Sequence, residues 1–161
     1  MPHLLFTLLP LLFAGSLLAA ESPLRVFVSV LPQKTFVERI GADHVDVSVM
    51  VQPGRSPATY DPTPGQMAAL ADADLYVRIG VPFEDAWMAR VRAINPEMPI
   101  LDNREGIALR VLEAHTHEDD EHGHAHAHGP VLDAHVWTAP LLVVGMADGI
   151  RDELTRLRPA A

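Results

Sequence analysis

RVFVSVLPQKTFVERIGADHVDVSVMV, residues 25–51, decides the fold. Within residues 25–30, Val26, Phe27, Val28 and Val30 are apolar and three of them β-branched, which predicts a strand. Pro32 then opens a helix that carries Phe36, Val37 and Ile40 and stops at Gly41. Val45, Val47, Val49 and Val51 alternate with polar or smaller residues, the two-residue period of a half-buried second strand. Strand, helix, strand at this spacing is a βαβ unit.

Outward from that unit the alternation continues. Thr63, Pro64 and Gln66 form a helix start: Thr63 can cap the free amides, Pro64 takes the first helical position and Gln66 the third, where it can close a capping box. This helix is expected to run to about Asp72. The run from Leu75 to Ile79, bounded by Asp74 and Gly80, reads as a buried parallel strand. Phe83, Trp87, Val91 and Ile94 recur at helical spacing and read as core packing. Residues 99–101 give a fourth strand. From Thr138 to about Arg158 a last helix carries Val143, Ala147, Ile150, Leu154 and Leu157 on one face. The expected fold is therefore α/β, a single lobe with a four-stranded, mostly parallel sheet flanked by helices. Ligands of such sheets collect beyond the carboxyl ends of the strands, which directs attention to residues 52–62 and 133–137.

Between the fourth strand and the last helix lies a different kind of sequence. Residues 114–129 contain His115, His117, His122, His124, His126 and His128 around the acidic run Glu118-Asp119-Asp120-Glu121. Neutral imidazole suits zinc, copper and nickel, and the carboxylates concentrate cations beside it, so the tract reads as a divalent-metal collector. The blander reading is a solvated low-complexity loop, too polar to bury a core. The two are compatible.

The N-terminus reads as a secretory signal: an apolar run from Leu4 to Leu18, then Ala19-Ala20, then the polar Glu21-Ser22-Pro23. It lacks Lys and Arg before the apolar run, and Leu18 is large for the cleavage site. The chain has no cysteine, which excludes both a disulfide and a lipidated cysteine. Cleavage after residue 20 leaves about 140 residues, enough for one modest domain. A soluble periplasmic protein is expected, a monomer with no nucleic-acid partner, since a net charge of −9 repels phosphates and favours cations.

The segments 53–67, with Pro53-Gly54-Arg55-Ser56-Pro57-Ala58-Thr59-Tyr60-Asp61-Pro62-Thr63-Pro64-Gly65-Gln66-Met67, and Asp133-Ala134-His135-Val136-Trp137 have a family resemblance. With the strand ending at Gly80, the pair Phe83-Glu84, Trp87 and the histidine-rich loop, the chain resembles the periplasmic zinc and manganese solute-binding proteins of ABC uptake systems, the bacterial solute-binding family nine. The resemblance implies two parallel-sheet lobes joined by a long helix, one metal held between them, and delivery of that metal to a membrane permease. Residues 21–137 would be the N-terminal lobe and residues 138–158 the start of the interlobe helix. The second lobe would be absent, leaving an amphipathic helix without a partner.

In that family a histidine directly precedes the Thr-Tyr of the first loop, a second matches His135, and a third histidine and a carboxylate come from the second lobe. Here Ala58 holds the first position, and a methyl group coordinates nothing. His135 is the one remaining match, with Asp133 either orienting its ring or simply ending a loop. Tyr60 and Asp61 read as turn and capping residues; His44 reads as a surface residue.

The expected function is zinc capture for an uptake system, with zinc favoured over manganese by the abundance of imidazole. The metal ligands would be His135 and the six histidines of the tract. A stand-alone zinc buffer using the tract alone is the alternative. A zinc hydrolase is disfavoured: His115-Thr116-His117-Glu118-Asp119-Asp120 resembles a metallo-β-lactamase run, but Asp120 replaces its final histidine, and a loose loop cannot fix an open catalytic site. No enzymatic activity is expected.

Overall fold

The computed structural model describes residues 22–111 and 132–159. Residues 1–20, expected to be a secretory signal, and the six tract histidines lie outside the described residues. Four strands, β1 (Leu24–Val28), β2 (Val45–Val49), β3 (Leu75–Arg78) and β4 (Ile100–Asp102), form one sheet in the order β2-β1-β3-β4, and every pairing is parallel. The helices are α1 (Leu31–Gly41), α2 (Pro64–Leu70), α3 (Pro82–Ile94) and α4 (Pro140–Leu157). The fold is the four-stranded α/β sheet that the alternating pattern predicts.

Alternation along the central strands divides the core between two faces. Val26, Val28, Leu75 and Val77 pack with Val37 of α1 and with Ile150 and Leu154 of α4. Phe27 and Tyr76 point the other way, toward Leu70 of α2 and Phe83, Met88 and Val91 of α3. Of the stripe expected on α3, Phe83 and Val91 are core and Trp87 packs partly buried against them, but Ile94, in the last turn, is exposed and Met88 takes the further core position instead. Tyr76 is fully buried; that burial drives its phenol well above the ordinary value, and its hydroxyl lies 2.9 Å from Ser29 Oγ.

Element ends differ from the sequence expectations in ways that hydrogen bonding explains. Beyond β2, Met50 N–H and Val51 N–H still donate to the carbonyls of Val28 and Ser29, so pairing outlasts the regular strand by two residues. Helix α2 stops at Leu70 because Ala71, Asp72 and Ala73 each donate three residues back, a tightening that ends the helix before Asp72. Helix α4 begins at Pro140, after a separate 3₁₀ turn spanning Val136–Thr138, so Thr138 precedes the helix. The buried stripe of α4 is Met146, Ile150 and Leu154, docked on the core; the helix has a partner within this lobe, although Leu141 and Val144 stay exposed.

The connection from β1 through α1 to β2 runs to one side of β1, and the next crossover passes to β3 on the other side. The chain therefore leaves β1 and β3 in opposite directions, opening a crevice at their carboxyl ends.

Candidate metal site

The crevice is a cleft of about 1000 Å³. Its lining includes Val30 to Pro32 after β1, Val51 to Ala58 after β2, Arg78 at the end of β3 with Gly80 to Pro82 after it, Asp85 of α3, Arg104 after β4, and Leu132, Ala134, His135 and Trp137 before α4. Both segments singled out by sequence meet here, and Ala58 and His135 line the same cavity.

The loop after β2 is held by Gln66. Its Oε1 accepts from Thr63 N–H at 3.0 Å while Thr63 Oγ1 accepts from Gln66 N–H at 3.3 Å, the capping box read from sequence. Gln66 also does what the motif alone does not reveal. Its Nε2 donates to the carbonyls of Val49 (3.2 Å) and Met50 (2.8 Å), and its Oε1 accepts from Tyr60 Oη at 2.7 Å. One side chain thus ties the start of α2 to the end of β2 and to the loop between them. Tyr60 is buried edge-on against Phe83, with ring centroids 5.6 Å apart, and Pro57 O accepts from Phe83 N–H at 3.1 Å. Asp61 accepts from Trp87 Nε1 at 3.3 Å. Tyr60 and Asp61 therefore serve loop geometry, as expected.

His135 does not end a strand. Leu132 makes an isolated antiparallel bridge with Val111, and His135 then caps the 3₁₀ turn. Ala134 and Val136 on either side are buried, which turns the intervening His135 outward; its side chain is 67% exposed. A histidine between apolar neighbours is commonly a core residue, but here the neighbours are the anchors. Asp133 Oδ1 accepts from the His135 backbone N–H at 2.9 Å and lies 2.8 Å from its Nδ1. The His135 backbone bond, then its ring, hold the Asp133 carboxyl below the ordinary carboxylate value. An ionised carboxylate can only accept, so Nδ1 carries a proton, and it is Nε2 that the neutral ring would present to a metal. The Trp137 ring lies 5.1 Å from the imidazole, tilted by 54°. Among the described residues no group of three or more His, Asp or Glu side chains is gathered as a metal site.

Several residues that shape the cleft had no role assigned to them from sequence, although the Phe83-Glu84 pair and Gly80 were part of the resemblance. Glu84 is wholly buried: Oε1 accepts from Ile79 N–H at 2.8 Å, and Oε2 accepts from Gly80 N–H at 2.7 Å and Arg78 Nε at 3.0 Å. Asp102 accepts from Arg104 Nε and Nη2 at 3.0 and 2.9 Å. Burial raises the Asp102 carboxyl, but the Arg104 bonds outweigh it and the group lies below its ordinary value. Gly80 sits at φ +76°, and the Arg104 guanidinium occupies the space that a Cβ would need. An acidic residue in the first turn of α3 is a readable signal for Glu84. The seat of Arg104 on Gly80 is a contact between separate loops and has no local signal.

Residues 26–161 match the family model described as ZnuA, zinc-uptake complex component A, periplasmic. The chain belongs to the ZnuA family. It is 25% identical over 171 residues to the zinc-binding protein AdcA of Streptococcus pyogenes, covering 97% of this chain and 33% of AdcA. To the high-affinity zinc uptake system protein ZnuA of Bacillus subtilis it is 28% identical over 151 residues, covering 90% of this chain and 46% of that protein. A crystal structure of ZnuA superposes with a TM-score of 0.70 at 38% identity, and a ZnuA deletion mutant with zinc bound does so with 0.73 at 36%; each alignment covers 85% of this chain and 48% of the other. The chain therefore spans about a third to a half of the length of the ZnuA relatives it matches.

Proposed function

We propose that the chain supplies the N-terminal lobe of a zinc-binding component of an ABC metal-uptake system, exported to the periplasm, where it captures zinc and passes it to a permease without chemical conversion. In this reading residues 1–20 are the signal, residues 21–137 the lobe, and residues 138–158 the start of a helix leading toward a second lobe. The observation that carries it is the Asp133–His135 pair: an exposed imidazole with Nε2 free, at the switch point of the sheet, in a member of a zinc-uptake family.

His135 is the donor from this lobe. Ala58, on the loop that faces it, contributes no lone pair and leaves the cleft a weaker zinc site than one with two imidazoles. The histidines at positions 115, 117, 122, 124, 126 and 128 act as a low-affinity collector that raises the local zinc concentration. Cell fractionation with N-terminal sequencing tests the export, with mature protein beginning after Ala20 as the expected result.

Trp137 gives a direct test of the site. In a Trp87→Phe variant the remaining indole lies beside His135, so zinc at the cleft should change its emission saturably. His135→Ala should abolish that change while zinc uptake by the tract persists. An unaltered response in His135→Ala would remove the cleft from the account and favour a buffer that uses the tract alone.

A further inference from the structure

We propose that the buried carboxylate of Glu84, together with Asp102, sets the zinc affinity of the cleft as a counter-charge, cancelling the guanidiniums of Arg78 and Arg104 that would otherwise repel a dication from His135. This rests on the reading that His135 faces zinc.

The charges are set in an order unlike that expected around a cation. Arg78 and Arg104 line the cleft, whereas neither Glu84 nor Asp102 is among the described residues of its lining. Arg78 Nε donates to Glu84 Oε2 at 3.0 Å, and its Nη1 lies 3.8 Å from Asp102 Oδ2. Arg104 donates to both oxygens of Asp102, so the four side chains form one connected network. The Arg78 side chain keeps 22% of its surface exposed while Glu84 keeps none, so the cleft meets the cation directly and the anion only through its field. The Arg104 guanidinium is held above its ordinary value chiefly by its bond to Asp102, and Glu84 and Asp85 add to this through space. Asp85, on the lining itself, belongs to the same field.

The backbone contacts of Glu84 do not call for a charge. Helices α1, α2 and α3 each have proline within the first two positions and Gln33, Gln66 or Glu84 at the third. Gln33 Oε1 accepts from Ser29 and Val30 N–H at 3.1 and 3.2 Å, and Gln66 Oε1 accepts from Thr63 N–H. Glu84 accepts from Ile79 and Gly80 N–H in the same manner. The two glutamines then donate Nε2 to strand carbonyls, whereas Glu84 meets Arg78. Burying a carboxylate is costly where a neutral amide would serve. The charge appears at the one of these three helices whose preceding strand ends in a cleft-lining arginine.

Zinc binding is read from Trp137 emission in the full chain carrying Trp87→Phe, at chelator-buffered free zinc, with urea midpoints measured on the same variants. A unit charge about 10 Å from a dication in a wet cleft alters affinity about threefold to tenfold. Glu84→Gln should weaken zinc binding by that factor and Arg78→Met should strengthen it by as much. The double variant should return to the parental affinity, whatever its urea midpoint. Added salt should shrink both single effects. Asp102→Asn and Arg104→Met, at a partly exposed pair, give the same cycle and decide the matter if Glu84→Gln does not fold. Carboxylates that serve the fold alone would give a loss of affinity in every variant, with no recovery in the double, or no change in any; either pattern would overturn the proposal and leave zinc capture by the cleft intact. A zinc response that His135→Ala does not alter would overturn both.

Discussion

A single oxygen of Asp133 fixes His135 twice, accepting from its backbone N–H at 2.9 Å and from its ring Nδ1 at 2.8 Å. The first bond sets where the residue stands and the second sets which ring nitrogen is presented. Removing the carboxylate in Asp133→Ala frees both the ring and its tautomer. Zinc affinity at the cleft should fall by about 10- to 100-fold, the usual cost of losing an outer partner of a metal-bound histidine. Emission of Trp137 in the Trp87→Phe background, titrated with zinc, measures it.

Asp102 links the cleft wall to acid stability. Its carboxyl lies lower in the folded chain than in the unfolded one, because the Arg104 bonds outweigh the burial that raises it. Its contribution is therefore complete above the unfolded value of about 4 and is lost as pH falls through the lower folded value. Asp102→Asn should reduce stability near neutrality and flatten its decline below about pH 4. Urea midpoints across that range check both the offset and the slope.

Two glycines with the same backbone should respond differently to alanine. Gly54 (φ +77°) has nothing within 4 Å of a new Cβ, whereas Gly80 (φ +76°) has the Arg104 guanidinium there. Gly54→Ala should cost about 1 kcal/mol, the left-handed penalty alone. Gly80→Ala should cost more, about 2 to 4 kcal/mol, because the Arg104 guanidinium must also leave its seat beside Asp102. Chemical denaturation of the two variants gives the comparison.

Much of this architecture was legible in local sequence. The valine alternation of residues 45–51, the Thr63-Pro64-Gln66 start and the stripe of α3 each state their structure within a few residues, and parallel order follows from their alternation with helices. The cleft was legible as two loops because sheet topology fixes where strand ends gather. What remained hidden was contact between distant loops. Gln66 reaching back to Val49 and Met50, and Arg104 resting on Gly80, join residues whose spacing carries no pattern. His135 was ambiguous for a related reason: exposed and buried histidines look alike until Ala134 and Val136 are seen to be the anchored pair.

The neck of the histidine tract is closed by the Val111–Leu132 bridge and by Asp133 N–H donating to Arg110 O at 2.8 Å. Deleting residues 114–129 should therefore leave the thermal midpoint of the metal-free protein nearly unchanged, since loop length enters closure entropy only logarithmically. Calorimetric titration of the same variant should show fewer, not weaker, zinc sites.

In that deletion variant the contact between this lobe and zinc through His135 can be measured without the tract. Zinc affinity is measured by competition with a chelator in the deletion background, then again with His135→Ala and with Ala58→His. Binding should be modest, abolished by His135→Ala and strengthened by Ala58→His by no more than about tenfold, two imidazoles still falling short of a closed tetrahedral set. Tight one-to-one binding that survives His135→Ala would contradict it and place the zinc site elsewhere in the chain.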